Sequence, residues 1–232
     1  MNYCNRMESI FDKHQTNYWQ DHANLRRYNH PVVRSFAERR VAHIARLIDK
    51  NHFETCLDVG CGDGFGMFYM RSIIPVVYGC DRSALMLRIN PVDRRCLAQA
   101  DAYHLPYQDA QFDVVYCWEL LHHVAMPCAI IAEMRRVAKS AIILCEPNAF
   151  NPAMALFAVL NKEERGSLRF NRNYLLRLLV EGGLQRCSCQ ATAWHTPNRT
   201  PLWFSKMTSL LPYKVPIVGM YAIAIGFKTS LS

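Results

Sequence analysis

The chain has 232 residues, 51% of them hydrophobic, and a formal net charge of +8. That length suits one domain with a full core, and no run reaches the about 18 apolar residues that a membrane-spanning helix needs. The ten cysteines are scattered with no CxxC pair, which gives no zinc-site spacing.

Several of those cysteines lie inside apolar runs and read as small buried hydrophobes. Reduced thiols imply a cytoplasmic location. The N-terminal stretch is polar and mixed in charge, unlike a signal peptide or an anchor. The basic excess tolerates an acidic partner without requiring one.

Taken in order, residues 1–30 are polar and aromatic and read as a lead-in helix or two with an irregular segment. Pro31 suits the first turn of the next helix. Over 32–50, Val33, Phe36, Val41, Ile44, Leu47 and Ile48 recur at helical spacing, with the arginines on the other, solvated faces. Residues 56–66, CLDVGCGDGFG, read as strand, glycine turn and helix, the helix running to about Ser72. A second strand covers 75–81 and ends in Asp81. A short helix follows at 84–89, then a third strand at 96–101 ending in Asp101. A turn lies at Leu105-Pro106-Tyr107, a strand at 112–118, a helix at 125–138 and a fifth strand at 141–145. Strands alternating with helices predict a parallel sheet covered on both faces.

Beyond residue 150 the pattern loosens. Residues 152–160 read as a short apolar helix, 162–172 as a charged stretch, and 174–180 as a helix closed by Gly182-Gly183. Two last strands fall at 184–194 and 220–228. The connection between them, 196–219, holds four prolines and many apolar side chains without evident regular structure.

Three strands ending in turn at Asp58, Asp81 and Asp101 are more specific than the glycines alone. With Asp58-Val59-Gly60-Cys61-Gly62-Asp63-Gly64, Asp101-Ala102, Leu105-Pro106 before Phe112-Asp113-Val114-Val115, Leu121-His122-His123-Val124 and Glu133-Met134-Arg135-Arg136-Val137, the chain resembles the class I S-adenosylmethionine-dependent methyltransferases, in their type 11 branch. The likeness is close over 53–147 and loose over 174–228. It implies an α/β, doubly wound, mostly parallel seven-stranded sheet whose last strand is antiparallel, with helices on both faces. It also implies a single domain: a helical lid over 1–50, a cofactor-binding half over 51–150, and a substrate-side half over 151–232 with an apolar, Pro-rich insertion near 196–219. Where the family has Lys-Pro-Gly-Gly before its fifth strand, this chain has Lys139-Ser140-Ala141, in a turn remote from the cofactor.

The resemblance assigns S-adenosyl-L-methionine to Asp58, Gly60, Cys61, Gly62, Gly64, Asp81, Arg82, Asp101, Ala102 and Trp118. The glycines let the loop lie under the methionine and ribose parts. Asp58 attracts the ammonium. Asp81 accepts from both ribose hydroxyls, and Asp101 accepts from the adenine amino group beside the Ala102 N–H. Methyl transfer is an in-line displacement, so the protein mainly orients. A base is needed only where the acceptor must lose a proton. Glu119, His122 and His123 after the fourth strand are the catalytic candidates, with Glu146 and Asn148 after the fifth. Tyr18, Trp19 and His22 are placed to close over the cofactor as a lid.

The expected acceptor is a small, apolar or lipid-like molecule. The stretch 201–218 and the helix at 152–160 would wall its pocket. Basic residues such as Lys162, Arg165, Arg199, Lys206 and Lys214 would meet phosphates of a lipid surface or substrate. RNA is the alternative acceptor, weakened because the basic residues are dispersed and no RNA-binding module is appended. A non-catalytic cofactor-binding protein is the other alternative, opposed by the intact glycines and acids.

Overall fold

The computed structural model describes residues 14, 18, 26–48 and 53–228. The lead-in segment with Trp19 and His22 lies outside the described residues.

Helix α1 (Pro31–Leu47) has Pro31 in its first turn, and the His30 side chain accepts from the Val32 N–H. The apolar run of β1 (Thr55–Val59) feeds the glycine turn and α2 (Phe65–Met70). Next come β2 (Val76–Asp81) and α3 (Ala84–Ile89), whose first turn is capped by the Ser83 hydroxyl. The third strand, β3 (Leu97–Gln99), is shorter than its sequence suggests. Asp101 therefore sits past it, in a turn where its Oδ1 accepts from the Tyr103 N–H. After β4 (Phe112–Trp118), α4 (Pro127–Val137) runs directly into β5 (Ala138–Pro147). This strand is longer at both ends than expected, and it carries Glu146 and Pro147. Beyond it lie α5 (Pro152–Leu160), a 3-10 segment (Lys162–Arg169), α6 (Arg172–Glu181), β6 (Gln185–Thr192), α7 (Leu202–Ser209) and β7 (Tyr221–Phe227).

The seven strands pair in the order β3-β2-β1-β4-β5-β7-β6. The first five are parallel, and β7 runs antiparallel between β5 and β6. One core packs α1 and α2 onto one face through Val41, Ile44, Met67 and Met70. The other packs α4 and α6 onto the opposite face through Ile130, Met134, Leu175 and Leu178. Strand order reverses between β1 and β4, so the loops after these two strands diverge and open a crevice, the usual ligand position in such sheets.

Two expectations need correction. Residues 196–219 do contain a helix, α7, which starts just after Pro201. The arginines of α1 are not all solvated. Arg40 is fully buried, with its guanidinium 4.3 Å from the Phe36 ring, 4.6 Å from Tyr221 and 4.9 Å from Trp118. A flat cation can stack on aromatic faces where a lysine ammonium cannot.

Candidate active site

The crevice is a cavity of about 630 Å³, within the range of a drug-sized ligand site. The turn after β1 forms its floor, with Gly60, Gly62 and Gly64 at φ of +74°, +51° and +80°. Their tasks differ. A Cβ on Gly62 would meet nothing within 4 Å, so this residue presents bare backbone to the cavity. A Cβ on Gly64 would lie 2.1 Å from Asn90 Oδ1, and Gly64 is absent from the cavity lining. Its glycine serves the packing of the turn.

The remaining residues assigned to the cofactor all line the cavity: Asp58, Gly60, Cys61, Asp81, Arg82, Asp101, Ala102 and Trp118 join Gly62 there. Asp58 ends β1 and is 2% exposed, yet its Oδ1 has no hydrogen-bond partner. Burial raises its pKa well above the usual carboxylate range; the nearby Tyr116 hydroxyl opposes this, and the charges of Asp81 and Asp63 add to it. The Tyr116 hydroxyl and Asp58 Oδ1 do not meet the geometry of a formed hydrogen bond. Asp81 is fixed from behind: its Oδ2 accepts from the Gly62 N–H at 2.8 Å and its Oδ1 from the Ser83 N–H at 2.7 Å. Each oxygen keeps a further lone pair for a ligand hydroxyl. Burial pushes Asp81 up, and the backbone donors of Ser83 and Gly62 pull it down. Arg82 lies 3.9 Å from Asp101 at the rim.

An orphaned, buried carboxylate oxygen facing a cavity suits a cationic group, and the bare Gly62 backbone suits a flat ribose or methionine chain. These features fit S-adenosyl-L-methionine.

Across the crevice, the residues after β4 form the opposite wall. Glu119 has φ +59°, a conformation costly for a residue with a Cβ and often kept at functional sites. Its Oε1 takes a 3.0 Å ion pair from Arg40. Burial raises the Glu119 pKa, against the pull of Arg40. His122 and His123 occupy a single 3-10 turn (Leu121–His123), with their rings 3.8 Å apart. Glu146, fully buried on β5, accepts from the N–H groups of Leu120 and Leu121 and, at 2.6 Å, from His122 Nδ1. A carboxylate only accepts, so Nδ1 carries the proton and Nε2 points elsewhere. Glu164 Oε2 lies 3.3 Å from that Nε2 but out of line for a hydrogen bond.

Neither imidazole titrates near neutrality. Burial lowers His122, but Glu146 and Glu164 outweigh it and raise the pKa to about 10. Burial, then the adjacent His122, pushes His123 down to about 3.

Glu164 was not singled out by the sequence, because it lies in a charged stretch that reads as solvated. Asn148 faces away: its side-chain amide donates to the Ile217 and Gly219 carbonyls and ties the end of β5 to the approach to β7. Tyr18 lines the cavity. The lining also includes Met154 and Phe157 of α5, residues 196–199 and Met220. The stretch 201–218, expected as a pocket wall, lies outside that lining. Arg199 stacks at 4.4 Å over Phe157.

Residues 57–145 match the family described as "Methyltransferase domain". That match runs from β1 to β5, and the sheet order and the crevice are those of the class I, seven-stranded S-adenosylmethionine-dependent methyltransferase fold. The chain is 31% identical over 155 residues to a ubiquinone biosynthesis O-methyltransferase of Nitrosomonas europaea, covering 62% of this chain and 60% of that protein. It is 28% identical to a 27-O-demethylrifamycin SV methyltransferase of Amycolatopsis mediterranei over 53% of this chain and 46% of that one. The chain thus spans about half the length of these two curated relatives. In fold it is similar to a geranyl diphosphate C-methyltransferase of Streptomyces coelicolor, solved with Mg2+, geranyl diphosphate and S-adenosyl-L-homocysteine. That likeness has a TM-score of 0.63 at 15% identity, covering 94% of this chain and 98% of that one.

Proposed function

We propose that the chain transfers a methyl group from S-adenosyl-L-methionine to a small, apolar or lipid-like acceptor. The carrying observation is one cavity with two unlike ends. The end at β1, β2 and the turn after β3 offers carboxylates and bare glycine backbone. The other offers the apolar Met154, Phe157 and Met220 beside a buried histidine–carboxylate cluster. The curated relatives act, by their names, on a ubiquinone precursor and a rifamycin, which favours a small molecule over RNA.

When bound, S-adenosyl-L-methionine supplies a sulfonium-activated methyl group. Asp58 is assigned to its amino group, Asp81 to the ribose hydroxyls, Asp101 and the Ala102 N–H to the adenine, and Trp118 to the wall beside it. Gly60, Cys61 and Gly62 give the backbone floor. Phe157 and Met154 hold the acceptor and exclude water, so that its nucleophilic atom faces the first end. That orientation can contribute about 7–11 kcal/mol. Glu119 and the neutral His123 are the groups assigned to receive the proton of a hydroxyl acceptor; His122, raised to about 10, is already protonated and instead places a fixed positive charge beside them, with Glu146 holding its ring.

The division at residue 150 follows the same logic, with cofactor contacts before it and acceptor contacts after it. Trp203, Met207, Leu210, Leu211 and Ile217 are exposed apolar side chains near Lys206 and Lys214 in sequence, a composition that favours peripheral contact with a lipid surface. The described cysteines are free, which fits a reducing, cytoplasmic compartment. No helix among the described residues is long and apolar enough to cross a membrane.

The test uses S-adenosyl-L-methionine with a labelled methyl group, incubated with the purified protein and either total RNA or an organic-solvent extract of metabolites and lipids. Label in the extract is the expected result. Label confined to RNA overturns the acceptor assignment, and label in neither overturns the activity.

A further inference from the structure

We propose that His122, His123 and Glu164 form a binding site for one divalent transition-metal ion on the acceptor side of the cavity. The inference rests on the geometry of the cluster and stands apart from the identity of the methyl acceptor.

The three side chains come from two separate segments, the turn after β4 and the 3-10 segment after α5. Each offers one ligand atom, and these atoms lie within 4.8 Å of one another. Two imidazole nitrogens and one carboxylate oxygen are the donor set of zinc, iron, cobalt and nickel sites rather than of calcium or magnesium sites. Metal–ligand bonds of about 2.0–2.2 Å require the donors to draw closer than they stand here. Glu164 Oε2 already stands 3.3 Å from His122 Nε2, and its side chain is 22% exposed, so the carboxylate has room to settle onto an ion. All three residues line the cavity, which leaves the remaining coordination positions open to water or a ligand, as in catalytic rather than structural sites.

An independent observation concerns His122. Its side chain is 1% exposed, and its Nε2 is buried without a hydrogen-bond partner. Its other nitrogen donates at 2.6 Å to a carboxylate that is itself fully buried. This is the arrangement in which metal-binding imidazoles are held: the outer carboxylate fixes the ring plane and aims the inner nitrogen, from which the incoming ion displaces a proton. Glu146 is anchored in turn by the Leu120 and Leu121 N–H groups, so the ring has little freedom to turn away.

The backbone also brings Glu164 to this nitrogen by a specific close approach. A Cβ on Gly166 would lie 1.8 Å from the His122 carbonyl oxygen. Only glycine lets the segment carrying Glu164 press against the histidine turn. The carboxylates of Glu146 and Glu164 match the two charges of the ion, while Glu119 is engaged by Arg40. A metal there would make an acceptor hydroxyl more acidic and so meet by another route the need otherwise assigned to an imidazole.

The test strips the full chain with a chelator and then titrates it with cobalt(II), followed by visible absorbance, and with zinc(II), followed by metal analysis after gel filtration. One equivalent per chain is expected, with d–d bands indicating nitrogen and oxygen ligands. Glu164→Gln and His123→Asn should each weaken binding at least about tenfold. Glu146→Gln, which touches only the outer shell, should weaken it by about 10–100-fold. S-adenosyl-L-methionine binding and the circular dichroism spectrum report that each variant is folded. Should His122→Asn fail to fold, Glu164→Gln at the cavity rim still decides the matter. Less than one equivalent bound by the wild type, or undiminished binding in folded Glu164→Gln and His123→Asn, overturns the site. Because no methyl transfer is measured, failure here leaves the proposed activity untouched, and loss of activity leaves this result standing.

Discussion

Arg40 on α1 and Glu119 after β4 are joined by a 3.0 Å ion pair in which the guanidinium is fully buried. Two other guanidinium nitrogens, Nε and Nη2, have no hydrogen-bond partner; aromatic faces surround them instead. Taking away the carboxylate leaves an uncompensated buried charge, an effect of about 3–5 kcal/mol. Glu119→Ala should lose about that much stability in urea unfolding, and Arg40→Met with Glu119→Gln should recover part of it. A Glu119→Ala variant as stable as the wild type would contradict the pairing.

Asp81 is preorganised by two backbone N–H groups, so its carboxylate is in position before any ligand arrives. Asp81→Ala should weaken S-adenosyl-L-methionine binding by about 1–3 kcal/mol, because two ligand hydroxyls lose their acceptor. Isothermal titration gives the number. Affinity equal to that of the wild type would remove Asp81 from the ribose assignment.

Burial holds the Asp58 carboxyl toward its protonated form, and a cation placed beside it favours the ionised form. Cofactor binding should therefore release a proton, and affinity should strengthen as pH rises from mildly acidic to neutral. Titration in buffers of different ionisation enthalpy measures the release directly, and Asp58→Asn should abolish it. Identical heats in all buffers across that pH range would show that Asp58 does not face the cation.

His195 is 3% exposed. Its Nδ1 lies 2.8 Å from the Thr208 hydroxyl and its Nε2 3.3 Å from that of Ser205. Burial, then the Arg39 charge, lowers its pKa from 6.5 to about 4. Between those values the unfolded chain binds more protons than the native one, so stability rises with pH across the window and is lost on acidification through it. His43, also lowered by burial and by Arg46 and Lys214, contributes with the same sign. Thermal melts from pH 7 to pH 4 should fall, and His195→Asn should fall less steeply. Parallel curves for the two proteins would show that the imidazole is not the group concerned.

The cofactor half was readable from sequence because its signals are local. Apolar runs, glycines at alternate positions and acids at strand ends are each set by neighbours along the chain, and β4 and α3 match their expected bounds. What was hidden depends on contacts distant in sequence. Arg40 reads as a solvated helix residue until Trp118 and Tyr221 are folded against it. Glu164 reads as one charge among many, since only the clearance at Gly166 brings it to His122. Helix α7 was masked by the prolines around it, although Pro201 directly precedes its start. Lys139 and Ser140 obscured the beginning of β5: the pairing with β4 shifts register across these two residues, and the Lys139 ammonium reaches Asp113.

The antiparallel insertion of β7 also bears on the order of assembly during synthesis. Among the described residues, strand β6 has β7 as its one neighbour in the sheet, so it emerges from the ribosome before its partner strand exists. The five parallel strands can dock onto one another first. The edge of β5 then stays open until Tyr221–Phe227 arrives, and a translation pause ahead of that segment would leave a sticky, half-built sheet for chaperones to shield.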